Sequence, residues 1–172
     1  SPDSTSISAA LVNAYLNTGK PGQALPLAER LIETNPGNAA LTRLKGIAEL
    51  ASQRSQSGIA TLAKAADQAP DDPAYRMDLA QAMLANEMGS QAMAQARQIL
   101  ERAPDYAPAV RLLAVAQQRS GDLTAALATA RRLGDAGSAA LQARLEGQIY
   151  MRAERYGDAA KAYASAYESN PN

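Results

Sequence analysis

The residues of this sequence that could do chemistry are few in kind. Paired carboxylates occur at Asp71-Asp72 and at Glu101 with Asp105, a pattern that general acid–base work can use. Seven tyrosines could stack on sugars or bases. All but four of the 17 basic side chains are arginine, whose fixed fork of donors matches carboxylate or sulfate oxygens two at a time. There is no His and no Cys. Zinc, haem and iron–sulfur centres thereby lose their usual ligands, and Ser–His or Cys–His nucleophile arrangements cannot be built. No glycine-rich phosphate loop is present, and both acid pairs sit beside prolines in turn-like segments where helix capping is the ordinary role. No catalytic residue, metal or cofactor is expected, and the chain reads as non-enzymatic.

The elements that must position these residues follow from composition. Of 172 residues, 47% are hydrophobic, and about half of those are Ala, the strongest helix former. An all-α protein packed closely through small residues is expected. With 17 basic and 17 acidic side chains the net charge is zero, which argues against bulk binding to nucleic acid. No window approaches 18 uninterrupted apolar residues, so no membrane span is expected. The chain opens Ser1-Pro2-Asp3 and reads as a piece from which any targeting segment or anchor has been removed.

Self-similarity is plain. Pro2, Pro36, Pro70 and Pro104 follow one another at 34 residues, and Pro171 lies 67 (34 plus 33) beyond Pro104. Proline lacks the backbone donor and disfavours helix in the residue before it, so each is expected to stop a helix. With those prolines at repeat position 32, position 8 reads Val12, Gly46, Ala80, Ala114 and Gly147, and position 20 reads Ala24, Gly58, Ala92, Ala126 and Ala159. Small residues in both columns let two antiparallel helices approach. Position 27 reads Leu31, Ala65, Ile99, Leu133 and Ala166, and position 11, less regular but bulky, reads Tyr15, Glu49, Met83, Gln117 and Tyr150; the larger of these fill the gap towards the next pair.

This pattern resembles the tetratricopeptide repeat over the whole chain. The best match is residues 140 to 172, with Gly147, Tyr150, Tyr156, Ala159, Tyr163, Ala166 and Pro171 at signature positions, followed by Leu11, Tyr15, Gly19, Ala24 and Pro36 in the first repeat. The resemblance implies an α-α superhelix of about five helical hairpins. These form a single array over 1–172, with repeats at about 5–38, 39–72, 73–106, 107–139 and 140–172. The helices are expected at about 5–18, 22–35, 39–52, 56–69, 73–86, 90–103, 107–120, 123–133, 140–153 and 157–170. Two departures stand out. In repeat 2, Lys45 and Glu49 occupy normally apolar columns while Leu41 and Leu44 come one place early, which predicts a one-residue shift of that helix. Repeat 4 is one residue short and lacks its proline, so its second helix is expected to stop at Gly134. Gly19, Gly121 and Gly157 read as turn residues inside hairpins. Tyr15, Tyr150, Tyr156, Tyr163 and Tyr167 read as packing residues, which leaves Tyr75 and Tyr106 as free rings.

The resemblance further implies that the first helix of each hairpin lines a concave groove through repeat positions 2, 5, 9, 12 and 13. Those columns carry Arg43, Arg111, Arg119, Arg144 and Arg152, with no acid. The expected ligand groove comprises Asn13, Asn17, Arg43, Met77, Gln81, Arg111, Val115, Arg119, Arg144, Gln148 and Arg152. The alternative is a solvated face whose arginines pair with acids such as Glu49, Asp78 or Glu146, with Met77, Val115, Leu84 and Met151 in the core. Members of the family that clamp peptide C-termini use lysines that are absent here.

The expected function is a protein–protein interaction scaffold that holds a partner peptide or protein, acidic in character, in the arginine groove. The alternative is a module for an anionic exopolysaccharide. Residues 145 to 150, Leu-Glu-Gly-Gln-Ile-Tyr, together with the Ala, Arg and Gln richness, loosely resemble bacterial envelope tetratricopeptide lipoproteins of exopolysaccharide-export and PEP-CTERM systems. That likeness implies a periplasmic setting with membrane attachment only through an N-terminal anchor. Ala160, Ala164 and Tyr167 on the last helix are expected to be open to solvent, or to a second copy packed end to end.

Overall fold

The structure is a computed structural model that describes residues 2–135 and 137–169. Among the described residues the chain forms α-helices and no strand. The helices are α1 (Pro2–Asn17), α2 (Pro21–Thr34), α3 (Ala39–Ala51), α4 (Ser55–Gln68), α5 (Pro73–Ala85), α6 (Gly89–Arg102), α7 (Ala107–Arg119), α8 (Leu123–Asp135), α9 (Ala139–Arg152) and α10 (Tyr156–Ser169). They cluster into two compact units, Ser1–Asn86 and Glu87–Asn172. In the first, each of α1 to α4 packs on the helix that follows it and α1 also meets α3; in the second, each of α6 to α9 packs on the helix that follows it and α7 also meets α9. No described helix is long and apolar enough to cross a membrane, and no described cluster of His, Cys, Asp or Glu could hold a metal ion.

The small columns are where the helices touch. Val12, Ala80 and Ala114 at position 8, and Ala24, Ala92, Ala126 and Ala159 at position 20, are all completely buried. In the second repeat both columns are glycine, and a Cβ on Gly58 would lie 3.0 Å from the Gly46 carbonyl oxygen. The α3–α4 hairpin is therefore closed backbone to backbone. Around these contacts Leu25, Leu31, Leu41 and Leu44 build one core cluster and Leu62 and Leu79 another.

Caps and turns follow local chemistry. The Asp72 carboxylate accepts from the Ala74 N–H while Pro73 opens α5 without needing a donor. Asp122 accepts from the Ala125 N–H at the start of α8. After α1 and α7 the chain reverses through Gly19 and Gly121 at positive φ. After α3 and α9 the same left-handed position is taken by Gln53 (φ 61°) and Glu154 (φ 58°). There Arg54 N–H donates to the Glu49 carbonyl and Arg155 N–H to the Tyr150 carbonyl, the six-to-one bond that closes a helix end.

Several sequence expectations are corrected. Helix α1 begins at Pro2 rather than near residue 5, because proline is well suited to a first helical turn. Helix α8 runs through Gly134 to Asp135. Its left-handed stop is Gly137, with Ser138 N–H donating to the Leu133 carbonyl. Gly157 lies inside α10, and Glu154 makes that turn instead. Repeat 2 is not shifted: α3 occupies 39–51, in step with α5 at 73–85 and α7 at 107–119. The price of keeping register is a buried Glu49, whose one oxygen lies 3.6 Å from Lys45 Nζ while the other has no hydrogen-bond donor. Pro171 lies outside the described residues.

Candidate functional site

Within the second unit, Arg111, Val115, Arg144, Gln148 and Arg152 of the expected groove line clefts between α7 and α9, the first helices of their hairpins. A cleft of about 390 Å³ is lined by Arg111 and Pro108 of α7, Arg144, Leu141, Leu145 and Gln148 of α9, Ala107, and Leu133 of α8. A second of about 350 Å³ is lined by Val115 and Gln118 of α7, Gln148, Ile149, Met151 and Arg152 of α9, and Tyr163 of α10. Gln148 belongs to both, so the two clefts adjoin along α9. They form because residues three and four apart share one helix face. On α7 that spacing gives Pro108, Arg111, Val115 and Gln118, and on α9 it gives Leu141, Arg144, Gln148 and Met151.

The electrostatics of this face are one-sided. Arg111, Arg144 and Arg152 are exposed and make no ion pair with any described residue, and no acidic side chain lines either cleft. Glu146, a candidate partner from sequence, accepts instead from the Gln142 side-chain amide at 2.9 Å. Three uncompensated guanidinium groups across the two adjoining clefts favour carboxylate, sulfate or phosphate oxygens. The second cleft is more apolar, and contains one unsatisfied group. The side-chain oxygen of Gln118 is buried and has no protein donor.

Tyr163 enters this wall because residue 147 is glycine. A Cβ there would stand 2.7 Å from the tyrosine Cε1, so the ring lies directly on the α9 backbone. Sequence reasoning had placed Tyr163 among packing residues and missed its cleft edge, which is 38% exposed. A glycine where Val12, Ala80 and Ala114 occupy the same column was the available signal. Leu133 was likewise read only as core.

The first unit treats its groove candidates differently. Arg43 on α3 donates through Nε to the Asp78 carboxylate on α5 and lies over the Tyr75 ring at 5.8 Å, so neither Arg43 nor Tyr75 is a free group. That hydrogen bond raises the Arg43 pKa against the opposing effect of partial burial. Met77 is only 5% exposed and is a core residue, because its position on α5 turns it inward. Asn13, Asn17 and Gln81 are exposed on α1 and α5. Arg119 is exposed at the end of α7 and lines neither cleft. Tyr156, expected to pack, is 61% exposed; Tyr167, at 69%, departs from the packing expectation and lies with Ala160 and Ala164 on the open face of α10.

Residues 9–73 match a family model described as tetratricopeptide repeat, and the antiparallel hairpins with buried small columns continue to α10. This is a tetratricopeptide-repeat fold. Among solved structures, MamA (residues 41 to the end) from Desulfovibrio magneticus RS-1 superposes with a TM-score of 0.75 at 17% identity, covering 96% of this chain and 94% of that one. A second MamA crystal structure gives 0.74 at 15% identity, covering 98% and 92%. YrrB, described as a TPR protein with an unusual peptide-binding site, gives 0.66 at 14% identity, covering 96% and 86%. No curated protein matches the sequence. In this fold the clefts of the second unit lie between α7 and α9, the first helices of successive hairpins.

Proposed function

We propose that the chain is a non-enzymatic protein-interaction scaffold that holds an extended acidic peptide segment of a partner on the α7/α9 face. One observation carries the reading: two adjoining clefts present Arg111, Arg144 and Arg152 without ion pairs and with no acid in their linings. A protein of similar fold, YrrB, is described as having a peptide-binding site, which supports the same use here. Val115, Met151 and Tyr163 in the second cleft favour a peptide over a purely polar polymer, because they offer apolar side chains a place to be buried. The single array over 1–172 and a bacterial envelope export or assembly setting, in the periplasm, belong to this reading. The setting draws support from the loose likeness at residues 145–150.

The second reading, an anionic exopolysaccharide module, draws on the same arginines, since a row of uronate carboxylates would satisfy them. Fluorescence anisotropy with a labelled Glu-rich peptide containing Leu and Tyr, competed by unlabelled polyuronate, separates the two. The peptide is expected to bind, and an Arg111→Glu, Arg144→Glu, Arg152→Glu variant to bind it at least about tenfold more weakly. Peptide binding indifferent to these changes would sink both readings, and tight polyuronate binding with no peptide binding would establish the second.

A further inference from the structure

The second cleft has a chemical character the first does not share, and it narrows the partner. Its wall combines a polarizable thioether at Met151, an aromatic edge at Tyr163 and a guanidinium at Arg152, three groups that each favour an aromatic ring over an aliphatic side chain. Gln118 lines the same cleft, and its side-chain oxygen is buried with no protein donor. A purely hydrocarbon occupant would leave that acceptor unsatisfied. An occupant with a ring and a donor at its tip would meet both requirements, and the soft terminal torsion of glutamine lets the amide turn to meet it. The first cleft, one helical turn away along α9 and sharing Gln148, carries Arg111 and Arg144.

We infer that the α7/α9 face selects a bipartite segment: acidic residues on Arg111 and Arg144, and a few residues away a tyrosine whose ring enters the second cleft and whose hydroxyl donates to Gln118. This rests on the peptide-binding reading above and names the motif it selects. An aliphatic anchor would fill the volume but leave Gln118 orphaned. Phenylalanine would gain the ring contacts without the hydrogen bond, so the tyrosine hydroxyl is the specificity-determining group.

The probes are labelled synthetic peptides carrying Glu-Glu-Ser-Ser-Tyr and its reverse order, each with Phe and Leu versions at the anchor, titrated into the whole chain. In the better order, Tyr is expected to bind about five- to tenfold more tightly than Phe and Leu to be weaker still. Gln118→Leu is expected to erase the Tyr-over-Phe preference while the Phe peptide still binds, a readout that misfolding cannot imitate. Equal affinity for Tyr and Phe in the native chain, or a preference that survives Gln118→Leu, overturns the inference. If all these peptides bind and all lose affinity in Arg111→Glu, Arg144→Glu, the acidic-peptide reading stands even when the tyrosine anchor fails. If none binds, both fall together.

Discussion

Gly147 of α9 lies directly beneath the Tyr163 ring of α10, so that a single methyl group at residue 147 would sit 2.7 Å from Cε1 and 2.9 Å from both Cδ1 and Cζ. The contact joins the core to the candidate site, because the same ring that closes the α9–α10 hairpin also walls the second cleft. Gly147→Ala is expected to swing the partly exposed ring outward at a net cost of about 1 kcal/mol, since a better helix former offsets part of the overpacking. Binding of an aromatic-anchored peptide should fall while circular dichroism and the thermal midpoint change little. A large loss of midpoint would show that the ring cannot move.

Gly46→Ala is the contrasting case. Its new methyl would meet Leu62 Cγ at 2.9 Å and the Leu62 backbone nitrogen at 3.2 Å, and a buried helix backbone has no room to retreat. The expected cost is about 1–3 kcal/mol by denaturant unfolding, with clefts and binding intact because both lie in the other unit. A neutral result would mean that α3 and α4 separate more easily than their buried packing implies.

The left-handed residues Gln53 and Glu154 hold positions that L side chains enter at a cost of about 1–2 kcal/mol. Gly at either site recovers that strain but loosens the unfolded chain, for a net gain of up to about 1 kcal/mol. Urea midpoints of Gln53→Gly and Glu154→Gly should rise. A fall would mean that their side chains make contributions larger than the strain.

The Arg43–Asp78 pair sets a pH expectation. The hydrogen bond from Arg43 raises its folded-state pKa above the ordinary arginine value. A raised pKa means stability fully present below the unfolded value and lost only as pH climbs through the folded one. Removing the pair by Asp78→Asn should cost less than about 1 kcal/mol, because the arginine side chain is 41% exposed, and that cost should be flat between about pH 7 and 9. A cost that changes steeply across this range would assign the effect to another group.

Charge reversal at Arg111 or Arg144 should scarcely alter folding, within about 0.5 kcal/mol, because these exposed side chains have no ion pair to lose. The same changes should weaken acidic-peptide binding and flatten its dependence on salt. Unchanged salt dependence would place the ligand elsewhere.

The sequence by itself determined the helices and their pairing. Ala-rich composition, prolines at a fixed period and two small columns are local or near-local signals, and the buried Val12, Ala24, Ala80 and Ala159 sit where those columns put them. Helix ends were legible from the 34-residue period, which put the ends of α3, α5 and α9 within one residue, whereas Gly134 and Gly157 misled because each lies inside a helix. Glu154 could not be recognised as a left-handed stop, because its conformation is imposed by the hairpin it closes rather than by its own preference. Which arginine stays available was decided by tertiary structure alone. Arg43 and Arg111 occupy the same repeat column, yet Asp78 reaches Arg43 from 35 residues away, while Arg111 and Arg144 face each other's helices with no acid in the cleft lining. Charge pairing between elements depends on which side chains the packing brings within reach, and one chain's composition, balanced to zero, holds no record of it.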